Sequence, residues 1–256
     1  MGFPERKKKI LDALENAGNM DVHELSTALD ISPVTIRRDL QQLADEGLLV
    51  RTHGGAMKAE KAPPFPAFVD KAAVSQERKQ YIGRLAAAFV QPGDTIFLDC
   101  GSTVFCMCGH LLKIPGIRVI TNSLPVLAAL MDSVDINVNL IGGELDRERK
   151  AIHGRRAVEH IDSYHAAKAF IGVDGLSVQS GLTAFSEKEA AISSAMSRNA
   201  ATVYMLCDSS KIGQDSYYKF APLSMFDYLV TDKEISEAQM QALELQQVKI
   251  ISTGTF

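Results

Sequence analysis

Positions 63–66 read Pro63-Pro64-Phe65-Pro66, and this cluster constrains the fold more than any other feature of the chain. Three prolines in four positions remove backbone donors and fix φ, so neither a helix interior nor a central strand crosses this point. The stretch Lys58 to Pro66 therefore predicts a stiff, extended connector between two separately packed bodies. At 256 residues and 46% hydrophobic content, there is chain enough for a small core before the joint and a larger one after it. The expected division is 1–57, a linker over 58–72, and 73–256.

Charged residues make up 23% of the chain, the ordinary globular share, which argues against wholesale disorder. No apolar run approaches the roughly 18 residues of a spanning helix, and the N-terminus lacks the apolar core of a signal peptide. These readings predict a cytoplasmic protein without a membrane partner. The four cysteines, Cys100, Cys106, Cys108 and Cys207, are too few and too clustered for a disulfide framework. Cys106-x-Cys108 is half of a metal pattern, but no second Cys or His pair with zinc spacing accompanies it, so neither a metal nor a cofactor is expected.

Ahead of the joint, three helical segments precede two short strands. Ile10, Leu11 and Leu14 recur at helical spacing between Pro4 and Gly18, and Leu25 and Leu29 mark a second helix. Ser32-Pro33 opens the third: serine caps helices well, and proline is tolerated at the first helical position. Ile36, Leu40 and Leu43 line its inner face as far as Gly47, and Leu48–Ala56 reads as a two-stranded wing.

Helix, short helix, turn, helix and wing is a DNA-docking order in which the N-terminal residues of the last helix meet base edges. Net charge is −4 and residues 1–58 carry no basic excess, so local placement of cations has to carry this reading. With Ile36 and Leu40 inward, Ser32, Pro33, Thr35, Arg37 and Arg38 are the expected DNA-facing residues of that helix. Arg6 and Lys9 on the first helix, and Arg51 and His53 on the wing, are expected to contact phosphates or a minor groove. Taken alone, each basic bunch is equally a solvated charged face; their shared placement on this element order favours duplex DNA as partner.

Here a family resemblance becomes specific. The segment from Ile31-Ser-Pro-Val-Thr-Ile-Arg-Arg-Asp-Leu to Arg51-Thr-His-Gly-Gly-Ala56 resembles the DNA-binding signature of DeoR-type regulators. The resemblance runs over nearly the whole chain. It implies a winged helix-turn-helix and, for most members, repression of sugar or polyol catabolic operons.

After the joint a helix is expected over about 74–90, then apolar blocks at Thr95–Asp99, Arg118–Thr121, Asn137–Gly142, Lys168–Val173, Thr202–Cys207, Tyr228–Thr231 and Lys249–Ser252. Helical stretches fall between several of them, at Ser102–Leu112, Leu124–Met131, Ser186–Asn199 and Ser236–Leu245. Continuous apolar strands alternating with helices predict an α/β domain with a mainly parallel sheet covered on both faces.

Ligands of such sheets sit beyond the carboxyl ends of the strands. The turns there are Asp99-Cys-Gly-Ser-Thr103, Thr121-Asn122-Ser123, Gly142-Gly143, Asp174-Gly175 and Asp208-Ser-Ser-Lys211. Each alone is an ordinary cap or turn; lying together at one edge, they suggest a pocket, with Gly101, Ser102 and Thr103 suited to a phosphate. The sequence here also resembles the effector domain of the DeoR family, related to ribose-5-phosphate isomerase. The resemblance implies a phosphorylated sugar or polyol effector, with Ser102 and Thr103 near the phosphate and Lys211 supplying charge. Asp174 and Glu187 would lie near the hydroxyls, and Thr121, Asn122, Gly142 and Gly143 around them.

The alternative is a sugar-phosphate isomerase. That pattern looks like Asp-Gly-x-Asp followed by a glycine-rich stretch with a lysine. In this chain Ser177 stands at the second acidic position, and no basic residue occurs between Gly175 and Glu187. An oxyanion forming there would have poor support, so the expectation is a regulator and not an enzyme. A homodimer or homotetramer is expected from half-site geometry, with the helix at 74–90 as the element coupling effector to DNA.

Overall fold

A computed structural model describes residues 2–45, 49–52, 54–58 and 67–254 of the chain. Compact packing divides it into two units, residues 1–64 and 65–256.

In the first unit, helix α1 (Phe3–Ala17) carries Pro4 in its first turn and stops at Gly18, whose φ of 74° suits a residue without Cβ. Helix α2 (Val22–Leu29) starts with a reciprocal cap: Asp21 Oδ1 accepts from the Glu24 N–H at 2.8 Å, and Glu24 Oε2 accepts from the Asp21 N–H at 2.7 Å. Helix α3 (Pro33–Asp45) begins as expected, with Ser32 Oγ accepting from the Thr35 N–H at 3.3 Å. Ile10, Leu14, Val22, Leu25, Ile36, Leu40, Leu43, Leu49 and Ala56 form one core. The wing strands β2 (Leu49–Arg51) and β3 (Gly55–Lys58) pair antiparallel, and β3 also pairs with an unexpected third strand, β1 (Asn19–Asp21). Gly47, Leu48, His53 and the proline cluster at 63–66, all part of the sequence reading, lie outside the described residues.

The second unit is built on seven parallel strands: β4 (Thr95–Leu98), β5 (Arg118–Thr121), β6 (Asn137–Leu140), β9 (Ala166–Gly172), β12 (Ala200–Leu206), β14 (Tyr228–Val230) and β15 (Lys249–Ile251). Their order is β15-β14-β12-β9-β4-β5-β6, and they are the seven blocks read from the sequence. Burial on both faces explains why those blocks are continuous. Phe97 faces one core with Ile192, Ala195 and Met196 of α10 (Glu187–Arg198); its neighbours Ile96 and Leu98 face the other. That second core contains Ile82 and Leu85 of α5 (Gln76–Ala87), Leu111 of α7 (Cys108–Leu111) and Leu130 of α8 (Leu124–Leu130). Helices α9 (Arg155–Ile161) and α11 (Glu237–Glu244) complete the first face.

Three features depart from the sequence reading. The helix expected over Ser102–Leu112 is broken into α6 (Ser102–Phe105) and α7. Two small antiparallel sheets were not foreseen, β7 (Glu144–Asp146) with β8 (Ala151–His153), and β10 (Gly175–Ser177), β11 (Gly181–Ala184) and β13 (Tyr218–Ala221). The end of the stretch expected as linker folds as helix α4 (Phe68–Ala73), inside the second unit. Buried Lys79 of α5 holds the end of α4, donating to the Val74 carbonyl at 2.7 Å and also to that of Lys71.

Candidate functional site

The first unit presents the N-terminal end of α3. Arg37 and Arg38 are exposed, while Ile36 and Leu40 are fully buried, so the helical period turns both guanidiniums outward as expected. Ser32 is exposed and hydrogen-bonds Thr35 hydroxyl to hydroxyl at 2.9 Å, with Pro33 at the first helical position. Val34 is 74% exposed in the same turn, an apolar side chain with no role in the core. Arg51 of β2 reaches across to the Arg37 carbonyl at 3.1 Å, bringing wing and helix together.

Arg6 requires a correction. Its guanidinium is half-buried and bidentate on Asp39, at 2.6 and 3.0 Å, and Asp39 is almost wholly buried. This pair ties α1 to the inner face of α3 and commits Arg6 to the fold. Lys9 is exposed, 3.8 Å from Glu5 one turn earlier.

In the second unit, the chain runs from β4 outward to β5 and β6, then returns to place β9 on the other side of β4. Such a reversal splays the turns that follow the two central strands and opens a crevice at their carboxyl ends. The backbones meet closely there: a Cβ on Gly101 would stand 3.4 Å from Gly172 Cα. A cavity of about 30 Å³ lies over this point, lined by Asp99, Gly101, Ser102 and Thr103 after β4, Asp174 after β9, and Lys211 after β12. Ala184 of β11 and Phe220 of β13 cover it. The structure therefore brings together six of the expected ligand residues.

Five others stand elsewhere. Glu187 is exposed at the start of α10, whereas Glu189, two residues on, turns into the cavity. Thr121 ends β5 and Asn122 follows it, one strand away from the crevice, and both are engaged locally. Thr121 donates to the Leu98 carbonyl at 2.7 Å, and Asn122 Nδ2 donates to that of Ile152 at 3.0 Å. Gly142 and Gly143 follow β6, a strand further out. Gly143 serves packing, since a Cβ there would meet the His153 carbonyl at 2.6 Å.

Sequence reasoning missed Lys71, Arg149 and Glu189, because none follows a strand of the main sheet. Lys71 enters from α4 and donates to Asp174 Oδ1 at 2.5 Å; its ammonium also lies 5.2 Å from the centre of the Phe185 ring. Arg149, in the turn joining β7 to β8, forms a buried ion pair with Glu189. Lys211 donates to the Val173 carbonyl at 2.9 Å. The stretch between Gly175 and Glu187 supplies no cation, as read, but three converge on this edge from segments distant in sequence.

The charges shape one another. Burial alone would raise the Asp174 carboxyl, but Lys71 and Lys211 hold it below the usual carboxylate range. Burial lowers Lys71 despite Asp174, and raises Glu189 despite Arg149. Asp99 is raised by burial, against the pull of the N–H groups of Cys100 and Gly172 that it accepts at 2.6 and 3.2 Å. Three cations and three carboxylates thus meet in one nearly closed crevice.

Comparison with known proteins matches family models to two segments of the chain. Residues 6–62 match a family model described as a DeoR-like helix-turn-helix domain, and residues 74–233 one described as the DeoR C terminal sensor domain. The chain is 34% identical to the HTH-type transcriptional repressor GlcR of Bacillus subtilis, covering 97% of this chain and 96% of that protein. It is 35% identical to the lactose phosphotransferase system repressor of Lactococcus lactis, over 94% and 95% of the two chains. With the glycerol-3-phosphate regulon repressor of Escherichia coli the identity is 30%, over 93% and 94%. Among solved structures, ribose 5-phosphate isomerase A of Methanocaldococcus jannaschii overlaps 53% of this chain and 54% of its own, with 19% identity and a TM-score of 0.39. No described helix is long and apolar enough to cross a membrane.

Proposed function

Since this chain belongs to the DeoR family of transcriptional regulators, we propose that it is a sequence-specific repressor released from its operator by a phosphorylated sugar or polyol. The observation that carries the effector half is the convergence of Lys71, Arg149 and Lys211 on the turn Gly101-Ser102-Thr103. A phosphate dianion satisfies such a set, with Ser102 and Thr103 offering hydroxyls and Asp174 and Glu189 accepting from the hydroxyls of the ligand. The cavity has room for one or two waters, so the ligand enters as the Lys71–Asp174 and Arg149–Glu189 pairs part.

The DNA half is supported by Arg37 and Arg38, exposed beside Ser32, Thr35 and Val34 at the start of α3. An arginine there forks onto guanine or clamps a phosphate, and Val34 suits a thymine methyl. Two copies of the helix reading successive half-sites call for a homodimer or a larger closed oligomer. Its place of work is the cytoplasm, with the DNA.

Coupling is assigned to α4, in place of the helix at 74–90. Helix α4 is the first described element after the proline cluster and bears Lys71. A ligand that takes Lys71 from Asp174 acts directly on it. The effector must favour the DNA-incompetent state, by about 1–3 kcal/mol for a typical coupling.

The test has three arms. Sugar and polyol phosphates should raise the melting temperature of the whole protein, and their unphosphorylated parents should not. Arg38→Ala should weaken operator binding by about 10- to 100-fold with effector binding intact. Lys211→Ala should remain on operator in the presence of effector. An unphosphorylated ligand that binds equally well removes the phosphate assignment, and unchanged operator affinity removes the assignment of α3. Turnover of a pentose phosphate by the purified protein would instead favour the isomerase reading.

A further inference from the structure

Cys100, His153 and Glu189 arrive from three separate elements, the turn after β4, the end of β8 and the first turn of α10. All three are buried, and one ligand atom from each lies within 4.8 Å of the other two. A buried imidazole ordinarily has a hydrogen bond at each nitrogen. His153 is 1% exposed, and among the described residues neither of its ring nitrogens has a hydrogen-bond partner. Its Nδ1 stands 4.0 Å from Asp146 Oδ2, too far for a hydrogen bond. An unpartnered imidazole facing a thiol and a carboxylate lacks an occupant that accepts all three.

We propose that Cys100, His153 and Glu189 form a binding site for a borderline divalent transition-metal ion, Zn²⁺ or Co²⁺ in character. One sulfur, one imidazole nitrogen and one carboxylate oxygen match that class of ion, while Mg²⁺ and Ca²⁺ demand oxygen. Ligand atoms around a tetrahedral ion are about 3–4 Å apart, so closure from the observed spacing asks for side-chain movements of about 1 Å. One His153 nitrogen serves the ion and the other turns to Asp146, a carboxylate-to-imidazole support common at metal sites. On binding, the Cys100 S–H bond breaks, its proton passes to solvent, and the sulfur lone pair coordinates the ion. Glu189 exchanges Arg149 for the ion. The site shares Glu189 with the effector reading, and Cys100 and Glu189 both line the cavity, so the titration is run without sugar phosphate and reads the ion alone. Cys106 and Cys108, the pair singled out in the sequence, are not part of the cluster.

The experiment uses the full-length, untagged, reduced protein after chelator treatment, titrated with Co²⁺. The expected result is one ion per chain with a thiolate-to-cobalt charge-transfer band, bleached by Zn²⁺ and untouched by Mg²⁺. Cys100→Ser should abolish the band. Loss of a supporting carboxylate alone costs 10- to 100-fold at known sites, so His153→Gln should weaken Zn²⁺ binding by at least about 100-fold. Arg149→Gln, which frees Glu189, should tighten it. Zn²⁺ should raise the melting temperature of the wild type and not of Cys100→Ser, a small change that keeps the fold measurable should His153→Gln unfold. A titration without the band, or equal stoichiometry in wild type and Cys100→Ser, overturns the proposal, because the ion would then sit elsewhere on the surface.

Discussion

Lys71 of α4 and Asp174, the residue following β9, form a buried ion pair with Nζ 2.5 Å from Oδ1, although 103 positions separate them. The pair joins the first helix after the proline cluster to the carboxyl edge of the main sheet. Both members line the crevice between β4 and β9. A change at this pair is therefore felt by α4 without any long relay.

Replacing Lys71 by Gln should uncouple the two halves of the response. In the wild type, effector should lower operator affinity by about 5- to 150-fold, the range of ordinary allosteric couplings. In Lys71→Gln the same effector concentration should change it by less than about 3-fold, a remaining coupling under roughly 1 kcal/mol. Fluorescence anisotropy of a labelled operator, with and without effector, reads both numbers. A full response in the variant would remove α4 from the mechanism.

Arg6 and Lys9 lie one helical turn apart and should behave oppositely. Arg6→Ala leaves buried Asp39 without its guanidinium partner, so the melting temperature of the helix-turn-helix unit should fall. Lys9→Ala should leave that temperature unchanged and flatten the salt dependence of operator binding by about one unit of slope. Thermal unfolding and a salt titration separate the roles, and an unshifted melting temperature for Arg6→Ala would contradict the clamp.

Val34 is an exposed apolar residue in the first turn of α3, the turn proposed to face DNA. Val34→Ser removes a methyl-sized contact without touching the core. Operator affinity should fall by about 10-fold, within the 1–3 kcal/mol range of a base contact, and the preference for thymine at one position should relax. Uniform weakening across all operator variants would mean that Val34 only packs against the backbone.

The acid limb of stability should report Asp174. Its folded-state pKa lies below the unfolded value, so the unfolded chain binds the extra proton in the window between them. Its contribution is present above the ordinary carboxylate value of 3.8 and is lost as pH falls through the folded pKa. Asp174→Asn should be less stable than wild type near neutrality, by about 3 kcal/mol for a broken buried pair, with the gap closing in acid. Chemical denaturation at several pH values measures the gap, and a constant difference would count against the assignment.

Much of this molecule was legible in one dimension. The inner parallel strands announce themselves because they are buried on both faces, which forces continuous apolar runs such as Thr95–Leu98 and Tyr228–Val230, while the edge strands β6 and β15 are only partly buried. The α3 start was legible because its cap, Ser32, lies within four residues of the atom it caps. Short strands such as β7 and β13 were not, since partial exposure leaves them no distinctive period. The sequence reading names Glu187, whereas Glu189 lies in the cavity, because at the start of α10 the helical turn decides which carboxylate looks inward.

The sequence by itself determined the two-body plan, the parallel sheet and the outward cationic face of α3, because those depend on local periodicity, caps and prolines. Only the tertiary structure decided which charges meet. Lys71, Arg149 and Glu189 reach one crevice, and Cys100 and His153 one another, through the reversal of strand order that sets β9 beside β4 and the placement of α4 and the β7–β8 turn. Convergence in space is set by packing between elements far apart in the chain, and no local pattern encodes it.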